Sequence, residues 1–64
     1  MNRNEKIYLL FLKHRVLTLN ELQEHTKWKK ITVLRIIASM IIKRQIRAIT
    51  YDGDKYLVIN NKPL

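Results

Sequence analysis

The sequence contains no cysteine, one glycine, one proline and a single serine in 64 residues. Without cysteine there is no disulfide staple, no thiolate metal site and no thiol nucleophile. One glycine excludes a glycine-rich phosphate loop, which needs several to bring backbone N–H groups onto a phosphate. Ser39, the lone serine, has no base within helical reach, so a serine nucleophile has no support. Long hydrophobic runs are also missing: none approaches the roughly 18 apolar residues that cross a bilayer. The opening Met1 to Lys6 leads into six apolar residues without a small-residue cleavage site, so no signal peptide is expected. Acids are scarce as well, five against thirteen Lys or Arg, giving a net charge of +8.

What is present is apolar. Hydrophobic residues make up 47% of the chain, too many for a disordered basic tail. The expectation is one domain near the lower size limit for a self-sufficient core. A domain that small without staples must idealise its packing or oligomerise. The cations are segregated: Lys27, Lys29, Lys30, Arg35, Lys43, Arg44 and Arg47 lie between His25 and Tyr51 with no acid among them. Solvated surfaces normally mix signs, because interspersed charges avoid self-repulsion. Segregation of this kind points to a surface that meets phosphates. A soluble, cytoplasmic protein with an anionic partner follows.

Periodicity gives the elements. A first helix is expected over about 4–14, capped by Asn2 with Glu5 completing a capping-box pattern. Its Ile7, Leu10 and Phe11 form one apolar stripe. Leu9, Leu12 and, with the helix continued, Val16 form a second on nearly the opposite side. A helix apolar on two faces is covered on two faces. The second cover is either a partner subunit or the chain's own C-terminal residues; a homodimer through Leu9, Leu12 and Val16 is the reading carried forward. A second helix, about 19–25, opens on Thr18 and Glu21, again a capping box. Thr26 to Lys29 reads as a tight turn lacking glycine.

The third helix, about 30–44, carries a core stripe of Val33, Ile36, Ile37 and Met40. Ile41 and Ile42 lie outside that stripe. Two strand-like runs, within about 47–59, flank Asp52-Gly53, a strong hairpin signal. Their register stays open between an Ile49–Tyr56 pairing and a Tyr51–Tyr56 pairing. Residues 60–64 form a short polar tail.

Helix, short capped helix, turn, long basic helix and hairpin together resemble the winged helix-turn-helix DNA-binding domain, a mainly α fold with a two-stranded wing. Thr18-Leu19-Asn20-Glu21-Leu22-Gln23-Glu24-His25-Thr26 is similar to the "T-L-x-E-L-A-x-x-T" opening of small MarR-like and Lrp-like regulators. Lys29 to Ile37 falls where those families have "S-x-x-T-V-S-R-x-L", and Met40 to Ile46 where they have "L-x-x-x-G-x-I". Tyr51 to Tyr56 stands at the wing tip. The resemblance covers about 4–59. Lys29, Lys27 and Arg44 depart from it, standing where a Ser or Pro, a turn glycine and a glycine before the wing are usual.

The resemblance implies a sequence-specific regulator of double-stranded DNA, as a homodimer, with the third helix in the major groove. Base-reading residues are then Lys30, Ile31, Thr32 and Arg35, with Arg35 matched to guanine by its planar fork. Phosphate contacts are assigned to Lys27, Lys29, Lys43, Arg47, Lys55 and the helix N-terminus at Thr18. Trp28 is a weaker candidate for stacking on nucleic acid and a better one for local core.

The competing class is a winged-helix protein-interaction module docking on an acidic partner. A basic helix lying on an anionic membrane is weaker, because the third helix's core stripe would then be missing from a very small domain. Catalysis has no residues to carry it. His14 and His25 have no cysteine or paired carboxylate at ligand spacing, so no metal is expected. No cofactor and no small-molecule ligand are expected either.

Overall fold

A computed structural model describes residues 2–60. The order is α1 (Arg3–His14), β1 (Val16–Leu17), α2 (Leu19–Thr26), α3 (Lys30–Ile42), β2 (Ile46–Tyr51) and β3 (Asp54–Ile59). Three helices stand against one antiparallel sheet of order β1-β3-β2, a mainly helical α+β fold.

Helix ends are set by local hydrogen bonding. At α1 the Glu5 N–H donates to Asn2 Oδ1 at 2.8 Å, and Asn2 Nδ2 donates back to the Glu5 carboxylate at 3.0 Å. The return arm comes from a side-chain amide, where a standard capping box uses the backbone N–H. At α2 the box is complete: Glu21 N–H donates to Thr18 Oγ1 (3.1 Å) and Thr18 N–H to Glu21 Oε1 (2.8 Å). That N–H stabilises the ionised carboxylate and holds Glu21 below the usual carboxylate range.

Three helices end on left-handed or otherwise positive-φ residues that are not glycine: Arg15 (φ 68°), Lys27 (63°) and Arg44 (60°). The Arg44 N–H donates to the Ile41 carbonyl and the Gln45 N–H to the Met40 carbonyl, at 3.0 and 2.9 Å. That pair of bonds is a Schellman motif, with Arg44 in the place glycine usually takes. It stops α3 at Ile42, two residues short of the expected end.

Arg15 corrects a second expectation. By ending α1 at His14 it takes Val16 off the helix and into a strand. Val16 and Leu17 pair with Val58 and Leu57, and the Ile59 N–H donates to the Arg15 carbonyl at 3.0 Å. The sheet therefore has three strands where a two-stranded wing was expected. A two-residue strand is too short to show alternation in a sequence.

The hairpin register is Ile49 opposite Tyr56 and Tyr51 opposite Asp54, leaving Asp52 and Gly53 as a two-residue turn. Both have positive φ, 53° and 83°, as a type I′ turn demands. Strand β2 begins at Ile46, one residue before the expected start.

The core joins Ile7 and Phe11 of α1, Leu17, Leu22, the α3 stripe Val33, Ile36, Ile37 and Met40, and the strand pair Ile46–Ile59. Burying one such side chain is worth about 1.5–3 kcal/mol. The one buried polar residue among the described residues, Thr26, donates its hydroxyl to the Leu22 carbonyl (2.8 Å) and accepts from the Trp28 N–H (3.3 Å). Asn60 anchors the end of β3 by donating to the Arg44 and Gln45 carbonyls. The expected tail beyond it, 61–64, lies outside the described residues.

Candidate nucleic-acid interface

Helix α3 offers its outer face along Ile31, Arg35, Ala38 and Ile42, spaced i, i+4, i+7 and i+11 and all exposed. Its N-terminal half is polar and cationic. Lys29 caps it with no side-chain hydrogen bond, Lys30 is exposed, Thr32 is half-buried beside Ile36, and Ile31 is 54% exposed. The α2–α3 connection adds Lys27, held in the left-handed conformation by an N–H bond to the Gln23 carbonyl (2.7 Å). Lys27, Lys29, Lys30, Ile31, Thr32 and Arg35 therefore belong to one end of α3 and the turn feeding it.

The other expected phosphate contacts are not gathered there. Lys43 follows α3 at its far end, about 20 Å along the axis from Lys30 at 1.5 Å per residue. It lines a shallow groove with Asn2, Glu5 and Tyr8. Arg47 and Lys55 lie on opposite faces of the sheet. Lys55 pairs with Thr50 on the side facing α3, whereas Arg47 pairs with Val58 on the outer side. Lys55 borders an apolar groove formed by Leu19, Leu34, Ile37, Ala48 and Leu57. Only Lys55 is on the α3 side.

At the N-terminus of α2 the Thr18 hydroxyl and N–H are both engaged by Glu21. An incoming phosphate would meet the N–H groups of Leu19 and Asn20, with the ionised Glu21 carboxylate close by. That charge opposes an anion, which weakens the assignment made for Thr18.

Trp28 packs on the core as a partly buried side chain. Its ring is covered by cations: the Arg3 guanidinium lies 5.5 Å from the ring centroid and Lys6 Nζ 5.8 Å. Those contacts place two further cations on α1, neither of which was a candidate from the sequence. The available signal was their i, i+3 spacing on one helix face. The sequence sets His14 and His25 apart, neither with a cysteine or paired carboxylate at ligand spacing. In the fold their rings stand 5.0 Å apart, centroid to centroid. No group of three potential metal ligands exists among the described residues.

Apolar side chains also reach the surface. Leu9 and Leu12 are each 47% exposed on α1, and Ile42 is 81% exposed on α3. Val16, Ile49, Tyr51, Tyr56 and Val58 share the outer face of the sheet by strand alternation and pairing. No described helix is long and apolar enough to cross a membrane. No family model, curated protein or solved structure matches the chain.

Proposed function

We propose that this chain is a winged helix-turn-helix regulator that binds double-stranded DNA as a homodimer. In this reading α3 is the recognition helix, the β2–β3 hairpin is the wing, and β1 is the short strand that completes the wing's sheet. The carrying observation is the acid-free, exposed N-terminal half of α3 with Lys27, Lys29, Lys30 and Arg35 around it. A helix whose exposed face is cationic suits a major groove about 12 Å wide. Lys30, Ile31, Thr32 and Arg35 are the side chains that meet the groove, and Lys27 and Lys29 the flanking phosphate contacts.

Electrophoretic mobility shift on random-sequence and selected duplexes at two salt concentrations tests this. Retarded complexes whose affinity falls steeply with salt are expected, because neutralised phosphates release counterions. Salt-independent retardation, or none, would refute it.

The second reading, a protein-interaction module, is supported by a different observation. The C-terminal half of α3 exposes Ala38, Ile41 and Ile42, an apolar surface with no use in a major groove. Under that reading Ile42→Lys abolishes partner capture, and duplex DNA is bound only weakly and without sequence preference. Under the DNA reading Ile42→Lys leaves duplex affinity intact.

A further inference from the structure

A groove of about 260 Å³ opens between the start of α1 and the N-terminal half of α3, lined by Arg3, Asn4, Thr32, Arg35 and Ile36. Two arginines from different elements, Arg3 and Arg35, are among its lining residues, and none of those residues is acidic. Two cations lining one groove with no acid among its lining residues favour an anion there. The nearest acid in the sequence, Glu5, is turned elsewhere. Its carboxylate accepts from Asn2, and it lines the neighbouring groove with Lys43. Arg3 is also held in place by the face of Trp28, so less side-chain freedom remains to be lost when it binds. Asn4, also lining the groove, is a neutral polar residue at the same opening.

We infer that this groove seats one backbone phosphate of duplex DNA, clamped by Arg3 from α1 and Arg35 from α3. Planar guanidinium forks match phosphate oxygens two at a time, which a lysine cannot do. The inference rests on the DNA reading and changes one role within it. Arg35 becomes a phosphate-binding residue instead of a guanine reader, and base edges are left to Lys30, Ile31 and Thr32. It also gives α1 a function on DNA: a phosphate gripped between α1 and α3 fixes how deeply and at what tilt α3 enters the groove.

The test measures fluorescence anisotropy of the full chain, Arg3→Ala, Arg35→Ala and the double variant. Each is titrated on a selected duplex and on a scrambled one across a salt series. Each single variant should lose roughly tenfold in affinity on both duplexes alike, the loss of one charge-assisted contact. Each should flatten the slope of log affinity against log salt by about one unit. The double variant should lose less than the product of the single losses, because the arginines share a phosphate.

Two results overturn the inference with the DNA reading intact. One is an Arg35→Ala variant whose preference for the selected duplex collapses; the other is an Arg3→Ala variant that binds like wild type. If the wild-type chain binds no duplex, the DNA reading fails and with it the phosphate's source. Titration with inorganic phosphate, read on the Arg3 and Arg35 Nε–H resonances, then decides the seat itself. A saturable shift lost in either variant upholds an anion site, and no shift removes it.

Discussion

Glu21 illustrates how much one side chain does in a fold this small. Its carboxylate accepts the Thr18 N–H while its own N–H is satisfied by the Thr18 hydroxyl, so α2 starts where these two residues put it. The ionised form is favoured by that bond first, and more weakly by the nearby His25 and His14, so its folded value lies below the ordinary carboxylate range. A lowered folded value means the ionised carboxylate contributes stability above the unfolded value, and loses it as pH falls through the folded one. Glu21→Gln keeps an oxygen acceptor without a charge that titrates. Urea denaturation at roughly pH 6 and pH 3 should therefore show wild type losing more stability than Glu21→Gln across the acid range. Equal losses would mean the bond does not discriminate between the charged and neutral forms. Thr18→Ala removes the hydroxyl acceptor for the Glu21 N–H and leaves only the backbone arm of the box, and should cost about 1 kcal/mol at neutral pH.

At the scale of elements, backbone sign decides the boundaries. Among the described residues glycine stands at only one of five positive-φ positions, Gly53, and there the hairpin is readable because Asp-Gly between β-branched runs has few other uses. At Arg15, Lys27 and Arg44 the same conformation is imposed on long cationic side chains, and no residue-type signal marks it. That is why the periodicity carries the third helix on to 44 and gives no sign of β1. The capping boxes and the core stripe of α3 were readable, since spacing alone specifies them. A left-handed non-glycine residue costs roughly 1–2 kcal/mol, and glycine returns part of that as unfolded-state entropy. Arg44→Gly should thus stabilise the chain by about 0.5–1 kcal/mol in urea denaturation, while Arg44→Ala changes little. Gly53→Ala should act in the opposite direction, by about 1 kcal/mol. Nothing lies within 4 Å of where its methyl would stand, so the backbone alone is strained. A stabilised Gly53→Ala hairpin would show that the turn changes type.

For the whole molecule, the candidate site was legible as a segment but not as a surface. The acid-free stretch maps onto one helix end and the turn that feeds it. It could not place Arg47 and Lys55 on opposite sheet faces while the hairpin register stayed open, nor put Arg3 and Arg35 on one groove, which depends on α1 packing against α3. The proposed homodimer would be governed by the same charge. A domain of 30 × 30 × 21 Å carrying +8 repels a second copy over its full width at low salt, when the Debye length is about 30 Å at 0.01 M. At 0.15 M that length falls to about 8 Å, and only charges at the contact itself still repel. Half-exposed Leu9 and Leu12 provide the apolar contact proposed for the dimer. Self-association should accordingly strengthen as salt is raised, while duplex affinity weakens. Sedimentation equilibrium at the two ionic strengths, beside anisotropy on a palindromic duplex, measures the two trends together. Leu9→Lys puts a further cation into the proposed contact and should leave a monomer at both salts. Its affinity for a palindrome should drop to that for a single half-site, with half-site affinity unchanged. A wild-type chain monomeric at high micromolar concentration and 0.15 M salt would remove the homodimer, and Leu9→Lys that still dimerises would move the interface off α1.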